Sequence, residues 1–259
     1  MDQSTDLTLN LGQFAIVYLL LIIVLAVMKK AKINQSKMVF VASFRMTAQL
    51  FLAGFVLTYI FENPHPLFTT AYIATITGFG YHTIIAKNKH LNKTFKLIIG
   101  FSLAICGLSV LAFYIIAVLG QSMFNPQFAI PLSGSIMGNA VAGMVLGLRA
   151  FNESLKTGRN KIDTLINMGV TPEKALLPFI NQAIETAIMP TIITMVSMGI
   201  IKLPGMMTGQ ILAGTMPMTA ILYQISLIIA IAAVTALTVF SALYFGYKTL
   251  YNDRNQLLI

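Results

Sequence analysis

Seven apolar runs, each about as long as a lipid bilayer is thick, leave this chain few ways to fold. They cover residues 11–28, 38–61, 67–86, 97–120, 130–148, about 176–201 and about 219–247. A helix needs roughly 20 apolar residues to cross the hydrocarbon core. Within that core every backbone polar group must be bonded inside the protein, and helices meet both demands at once. Composition agrees, since 57% of the 259 residues are hydrophobic and 10% are charged, against about 25% charged in a soluble domain. The expected fold is all-α, one polytopic transmembrane domain over residues 1–259 with the lipid bilayer around it.

Charge orients the spans. The opening "MDQSTDLTLN" is acidic, and Lys29 and Lys30 come after the first run, the reverse of a cleaved signal peptide. With the N-terminus outside and the C-terminus cytosolic, the inner segments are 29–37, 87–96, 149–175 and the tail. These hold 15 of the 17 basic residues, leaving Lys202 outside and Arg45 within a span. So lopsided a split follows the positive-inside rule. The net charge of +9 thus reports topology, and its dispersal through short loops argues against nucleic acid as a partner. The single cysteine, Cys106, allows no disulfide within one chain and no Cys-based zinc site.

The longest polar segment, 149–175, is the inner connection between spans five and six. Ile162, Leu165, Ile166 and Met168 recur at helical spacing among charged residues, which predicts a short amphipathic helix. Gly169 suits its C-cap. Thr171 as N-cap, Pro172 at the first helical position and Glu173 in the first turn then begin another helix. The expected shape is helix, tight turn, helix, protruding from the inner face.

"DTLINMGVTP" at 163–172 resembles the cytosolic loop of ABC permeases, in which an acidic residue stands six positions before a Gly that leads into Ser/Thr-Pro. More broadly, "RMTAQLFLAGFVLTYIF" (45–61), "IPLSGSIMGNAVAGMVLGL" (130–148) and "LPGMMTGQILAGTMPMTAILYQI" (203–225) resemble the FetB family. That family comprises the membrane subunits of bacterial iron-export ABC transporters, and plant relatives form half of an aluminium-tolerance transporter. The resemblance implies a permease subunit in a bacterial plasma membrane, homodimeric, exporting iron. It also implies an ATPase-coupling role for Asp163, Gly169, Thr171, Pro172 and Glu173. The chain has no G-x-x-x-x-G-K-[ST] phosphate loop. It is therefore expected to bind no cofactor itself, with ATP and Mg on a separate ATPase subunit. Two other readings stay open: a permease for another metal or a small solute such as a nucleotide-linked sugar, and a non-transporting membrane scaffold or receptor.

Ionisable and polar residues at membrane depth mark functional positions. Arg45 either snorkels to the inner headgroups or, with Gln49 one turn on, faces the substrate path. Glu185, the one acidic residue within a span, either pairs with Arg45, lines the path as a metal or proton site, or stays wet. Many bacterial members of the resembled family carry a basic residue there, so Glu185 departs from the pattern. Asn139 is interhelical glue or path-lining. Gly134 with Gly138, and Gly143 with Gly147, form small-x-x-x-small pairs on opposite faces of span five, which suits helix packing.

Residues 203–218 would reach about 24 Å as a helix, short of the roughly 30 Å hydrocarbon core. The Pro204, Gly205, Met206, Met207 block is therefore expected to open a re-entrant hairpin that gates the outer mouth. It turns near Gly214 and Pro217. Thioethers favour Cu(I) whereas iron prefers carboxylate, imidazole and water, so the methionines are read as flexible packing. No metal-ligand cluster and no nucleophile–base pair is visible, and the chain is expected to be a transport subunit rather than an enzyme.

Overall fold

The computed structural model describes residues 11–251 apart from His90; the acidic opening and Arg254 lie outside the described residues. Among the described residues the secondary structure is helical, with one isolated bridge between Met198 and Lys202. The helices group into two compact units that divide after Asn63.

The first unit is a hairpin of α1 (Leu11–Lys30) and α2 (Ser36–Glu62). Lys29 and Lys30 occupy the last turn of α1, where cations complement the negative end of the helix. The Ala31 N–H donates to the Val27 carbonyl and the Ile33 N–H to that of Met28, with Lys32 in the left-handed region at φ +54°. Hydroxyl groups of Tyr18 and Thr47 hydrogen-bond across the hairpin. Beside them runs an apolar groove of about 610 Å³ lined by Phe14, Leu21, Met46, Leu50 and Phe51. Phe44 and Phe55 each stand 73% exposed, an arrangement that lipid solvates and water does not.

The second unit contains α3 (Pro66–Lys87), α4 (Lys93–Phe113), α5 (Pro126–Asn167), α6 (Pro172–Ser197), α7 (Gly205–Leu212) and α8 (Pro217–Gly246). A π-helical turn, Tyr114–Val118, extends α4, and a 3₁₀ turn, Tyr247–Leu250, extends α8. Side chains start three of these helices. His65 Nδ1 accepts from the Leu67 N–H at 3.2 Å, Asn92 Oδ1 from Phe95 at 2.7 Å, and Asn125 Oδ1 from Gln127 at 3.1 Å. Pro66 and Pro126 hold the first helical positions of α3 and α5, where a missing N–H costs nothing.

Six of the seven expected spans are helices long and apolar enough to cross a bilayer: α1, α2, α4 with its π turn, α5, α6 and α8. The seventh, residues 67–86, lies in the 22-residue helix α3, which is not among them. Threonines and His82 dilute its apolar character. The Thr70, Thr75, Thr77 and Thr83 hydroxyls each donate to the carbonyl four residues back, at 2.8–3.0 Å.

The 42-residue α5 is the axis of this unit and packs against α3, α4, α6 and α8. Gly143 and Gly147 let the neighbours in. A Cβ on Gly147 would stand 2.9 Å from Val239 Cγ1 and 3.2 Å from Ala187 Cβ, and one on Gly143 would strike the Thr235 methyl group. Among the described residues of one chain, one of the two glycine faces is packed. A Cβ at Gly134 or Gly138 would meet nothing within 4 Å, because α6 and α8 both approach the Gly143–Gly147 side.

Thermal unfolding in detergent should separate the two glycine pairs. Gly143→Ala and Gly147→Ala are expected to destabilise by about 1–3 kcal/mol through overpacking. Gly134→Ala and Gly138→Ala should be neutral or stabilising by up to about 1 kcal/mol from helix propensity.

Candidate functional site

The segment from 149 to 175 folds differently from its predicted form. No separate amphipathic helix forms; α5 simply continues past the expected end of span five to Asn167. Residues 149–167 contain no Pro and one Gly, so nothing in them breaks the helix. Arg149 Nε donates to Glu153 Oε1 at 2.8 Å one turn on. From Asn152, whose amide reaches Asn88 Oδ1 at 3.4 Å, the helix runs 15 further residues, about 22 Å along its axis.

Gly169, at φ +85°, ends it. The Gly169 N–H donates to the Ile166 carbonyl at 2.9 Å and the Val170 N–H to that of Leu165 at 3.0 Å, the paired bonds of a Schellman cap. Pro172 then opens α6 with Glu173 in its first turn. Thr171 occupies the cap position, but its side chain makes no capping bond, a correction to its expected role. The resulting elbow is stiff underneath and exposed on top. Leu155, Ile162, Ala175 and Leu176 are buried along the seam, whereas Met168 is 76% exposed at the tip. Asp163, Gly169, Thr171 and Glu173 are exposed, and Pro172 is half-buried.

The end of α8 was absent from the sequence reading of this region, yet it lies against the elbow. Tyr247 is buried in the same core cluster as Ile162 and Leu176 of the elbow. Tyr251 packs against the same core, and its hydroxyl is buried with no hydrogen-bond partner among the described residues. Burial and the nearby Asp163 carboxylate push the Tyr251 phenol up to about 12. It therefore stays neutral, and a donor, up to strongly alkaline pH. Leaving such a buried group unpaired costs roughly 1–3 kcal/mol. The Tyr-x-x-x-Tyr spacing at 247 and 251 was the available signal, hidden because it sits at the margin of an apolar run.

The other predicted residues are scattered over exposed faces. Arg45 and Gln49 lie one turn apart on the exposed face of α2. Asn139 on α5 is exposed and donates to the Ser135 carbonyl of its own helix at 2.8 Å. Glu185 is exposed on α6. Between α5 and α6 lies a cleft of about 520 Å³ lined by Glu153, Thr157, Phe179, Gln182 and Thr186 among others, which the sequence reading did not single out. Among the described residues no group of three or more His, Cys, Asp and Glu could hold a metal ion.

The methionine-rich stretch resolves into α7 and a turn. Gly214, at φ +90°, donates to Ile211 at 3.0 Å while Thr215 donates to Gln210 at 2.9 Å, a second Schellman cap. Pro217 begins α8. The turn falls where the glycine and proline put it. Pro204 sits at the N-cap position of α7, Gly205 opens the helix, Met206 is exposed and Met207 half-buried.

Comparison with known proteins places this arrangement among others. The chain is 28% identical to the Escherichia coli protein named "Probable iron export permease protein FetB", over 95% of its own length and 93% of that protein's. It is 27% identical to "UPF0014 membrane protein YjkA" of Bacillus subtilis, over 91% and 93% respectively. With "Protein ALUMINUM SENSITIVE 3" of Arabidopsis thaliana it shares 28% identity over 86% of this chain and 81% of the other. No solved structure matches it significantly. The family described as "Uncharacterised protein family (UPF0014)" matches residues 11–251, from the first described helix to the last described residue, and the chain belongs to that family of membrane proteins.

Proposed function

We propose that this chain is the membrane permease half of an ATP-driven exporter of metal ions, with iron as the first substrate to test. It works as a homodimer beside two copies of a separate ATPase subunit. The elbow carries the reading: an apolar side chain, Met168, stands 76% exposed at the tip of a stiff two-helix stalk whose seam is buried. A tip built that way fits a groove on another protein, and its stalk transmits force. The name of the Escherichia coli relative supplies the substrate and the direction. ATP and Mg belong to the partner, since the sequence has no phosphate-binding loop of its own.

In this reading the elbow end is cytosolic. Lys87, Lys93, Lys156, Arg159, Lys161, Lys174 and Lys248 all come from the segments assigned inside. Glu185 and Asn139, on the exposed faces of α6 and α5, line the route. Their oxygen donors suit iron better than thioethers do. The α7 hairpin, too short to cross the membrane, closes the outer mouth.

Single cysteines on a Cys106→Ser background test the orientation. A membrane-impermeant thiol reagent applied outside intact cells should label Phe124→Cys, and should reach Met168→Cys only after the cells are opened. The reverse pattern contradicts the proposed topology.

Met168→Asp should weaken retention of the ATPase about tenfold or more, the loss expected at a buried interface anchor. Gly169→Val, which forces a branched side chain into the left-handed region, should abolish coupling while the chain remains in the membrane. Unchanged retention of the ATPase by both variants would remove the elbow from the interface.

A further inference from the structure

We infer that the end of α3 and the middle of α5 form a binding site for the headgroup of an anionic phospholipid, taken from the leaflet on the elbow side. The site goes beyond the permease reading. It rests on the membrane fold alone and stands whether or not the chain moves metal. A cleft of about 380 Å³ opens there, lined by Lys87, Asn88, Val145, Arg149, Asn152, Glu153 and Lys156. Ligand pockets typically measure about 300–1,000 Å³.

The two walls are tied to each other. Asn88, buried at the end of α3, accepts from Asn152 Nδ2 of α5 at 3.4 Å, and its own Nδ2 donates to the Ile84 carbonyl at 2.9 Å. Further along the same seam Val141 of α5 fills the space beside Gly80 of α3, where a Cβ would stand 2.7 Å from it. Glu153 lines this cleft and the α5–α6 cleft alike, so the two are neighbours on α5.

Charge gives the cleft its sign. Lys87, Arg149 and Lys156 are exposed cations set against one carboxylate, Glu153. Arg149 spends its Nε–H on Glu153 Oε1 at 2.8 Å, which leaves the two terminal nitrogens of its fork as donors. Phosphate oxygens are the acceptors such a fork fits best.

Depth selects a lipid over a soluble anion. Lys87 and Arg149 each follow directly on an apolar run, 67–86 and 130–148, and so mark the level where hydrocarbon gives way to headgroups. Lys156 lies about 10 Å further along α5, and its long chain can reach back across a polar layer roughly 5–8 Å thick. Toward the membrane centre, Val145, Ala142 and Gly138 follow on the same side of α5, about one, two and three turns from Arg149. Ala142 and Gly138 are exposed, and a Cβ at Gly138 would meet nothing within 4 Å. The cations hold the headgroup while an acyl chain lies along this open track. Basic pockets between membrane helices bind lipid headgroups by the same attraction.

Native mass spectrometry of the full-length protein in detergent, titrated with phosphatidylglycerol, phosphatidylcholine or glycerol phosphate, tests the site. Each cation beside an anionic lipid is worth roughly fivefold in affinity. Lys87→Gln/Lys156→Gln should therefore bind phosphatidylglycerol about tenfold or more weakly than the parent. Lys93→Gln/Lys248→Gln removes as much charge outside the cleft and should bind it as the parent does. Glu153→Gln removes the opposing charge and should tighten binding about fivefold, a gain that misfolding does not mimic.

Equal losses in the two lysine pairs, no gain in Glu153→Gln, or phosphatidylcholine held as well as phosphatidylglycerol overturns the site. Glycerol phosphate held as tightly as the lipid assigns the cleft to a soluble anion and overturns the lipid reading. None of these readouts requires metal movement or an ATPase, so failure of the permease reading leaves the test intact.

Discussion

The close approach of α6 and α8 to α5 at Gly143 and Gly147 is the contact on which the rest of the second unit depends. Lipid tails are as apolar as leucine, so no hydrophobic force draws helices together inside a bilayer. Association there rests on packing, and packing needs backbones that can come near. At these two glycines the facing groups are Thr235, Ala187, Val239 and the Ala183 carbonyl. Once α5 is fixed between its neighbours, everything beyond Leu148 on the same helix is fixed in direction as well. The stalk, the elbow and its exposed tip inherit their rigidity from that contact.

Polar groups divide into two kinds. Those that ride within helices are satisfied locally, as the threonines of α3 are by their own backbone carbonyls. Others, Asn139, Gln182 and Glu185, lie on exposed faces of α5 and α6. A carboxylate is costly to place in lipid. In the proposed permease these faces therefore turn toward a watery route or a second copy, while surfaces carrying Phe101, Ile105 and Phe113 of α4 turn toward lipid. Oxygen donors on a route-facing surface match the ligand preference of iron without forming a resident metal cage.

Much of this architecture was legible in the sequence because membrane insertion imposes a length and a polarity that few other folds demand. The helix start at Pro172 and the turns at Gly169 and Gly214 followed from backbone chemistry alone. Other features were hidden for identifiable reasons. Span five and the amphipathic segment were read as two elements because the composition changes near Arg149, yet a helix is indifferent to polarity when its backbone bonds continue. The two glycine pairs look equivalent in sequence, and only the arrangement of neighbours shows that Gly143 and Gly147 are packed whereas Gly134 and Gly138 are open. Span three fell below the apolarity of the others because threonine reads as polar even when its hydroxyl is spent on its own helix. The tyrosines of the α8 end lie far from the elbow in sequence, so their packing against its core shows only in the fold.

The proposed function stands or falls on coupling between nucleotide use and metal movement. The decisive measurement is iron flux across sealed vesicles containing this chain and its ATPase subunit, compared with and without ATP. The account predicts flux in the export direction that needs ATP, the ATPase and an intact elbow together. Flux indifferent to ATP, or none at all while the ATPase is bound and turning over, would contradict it.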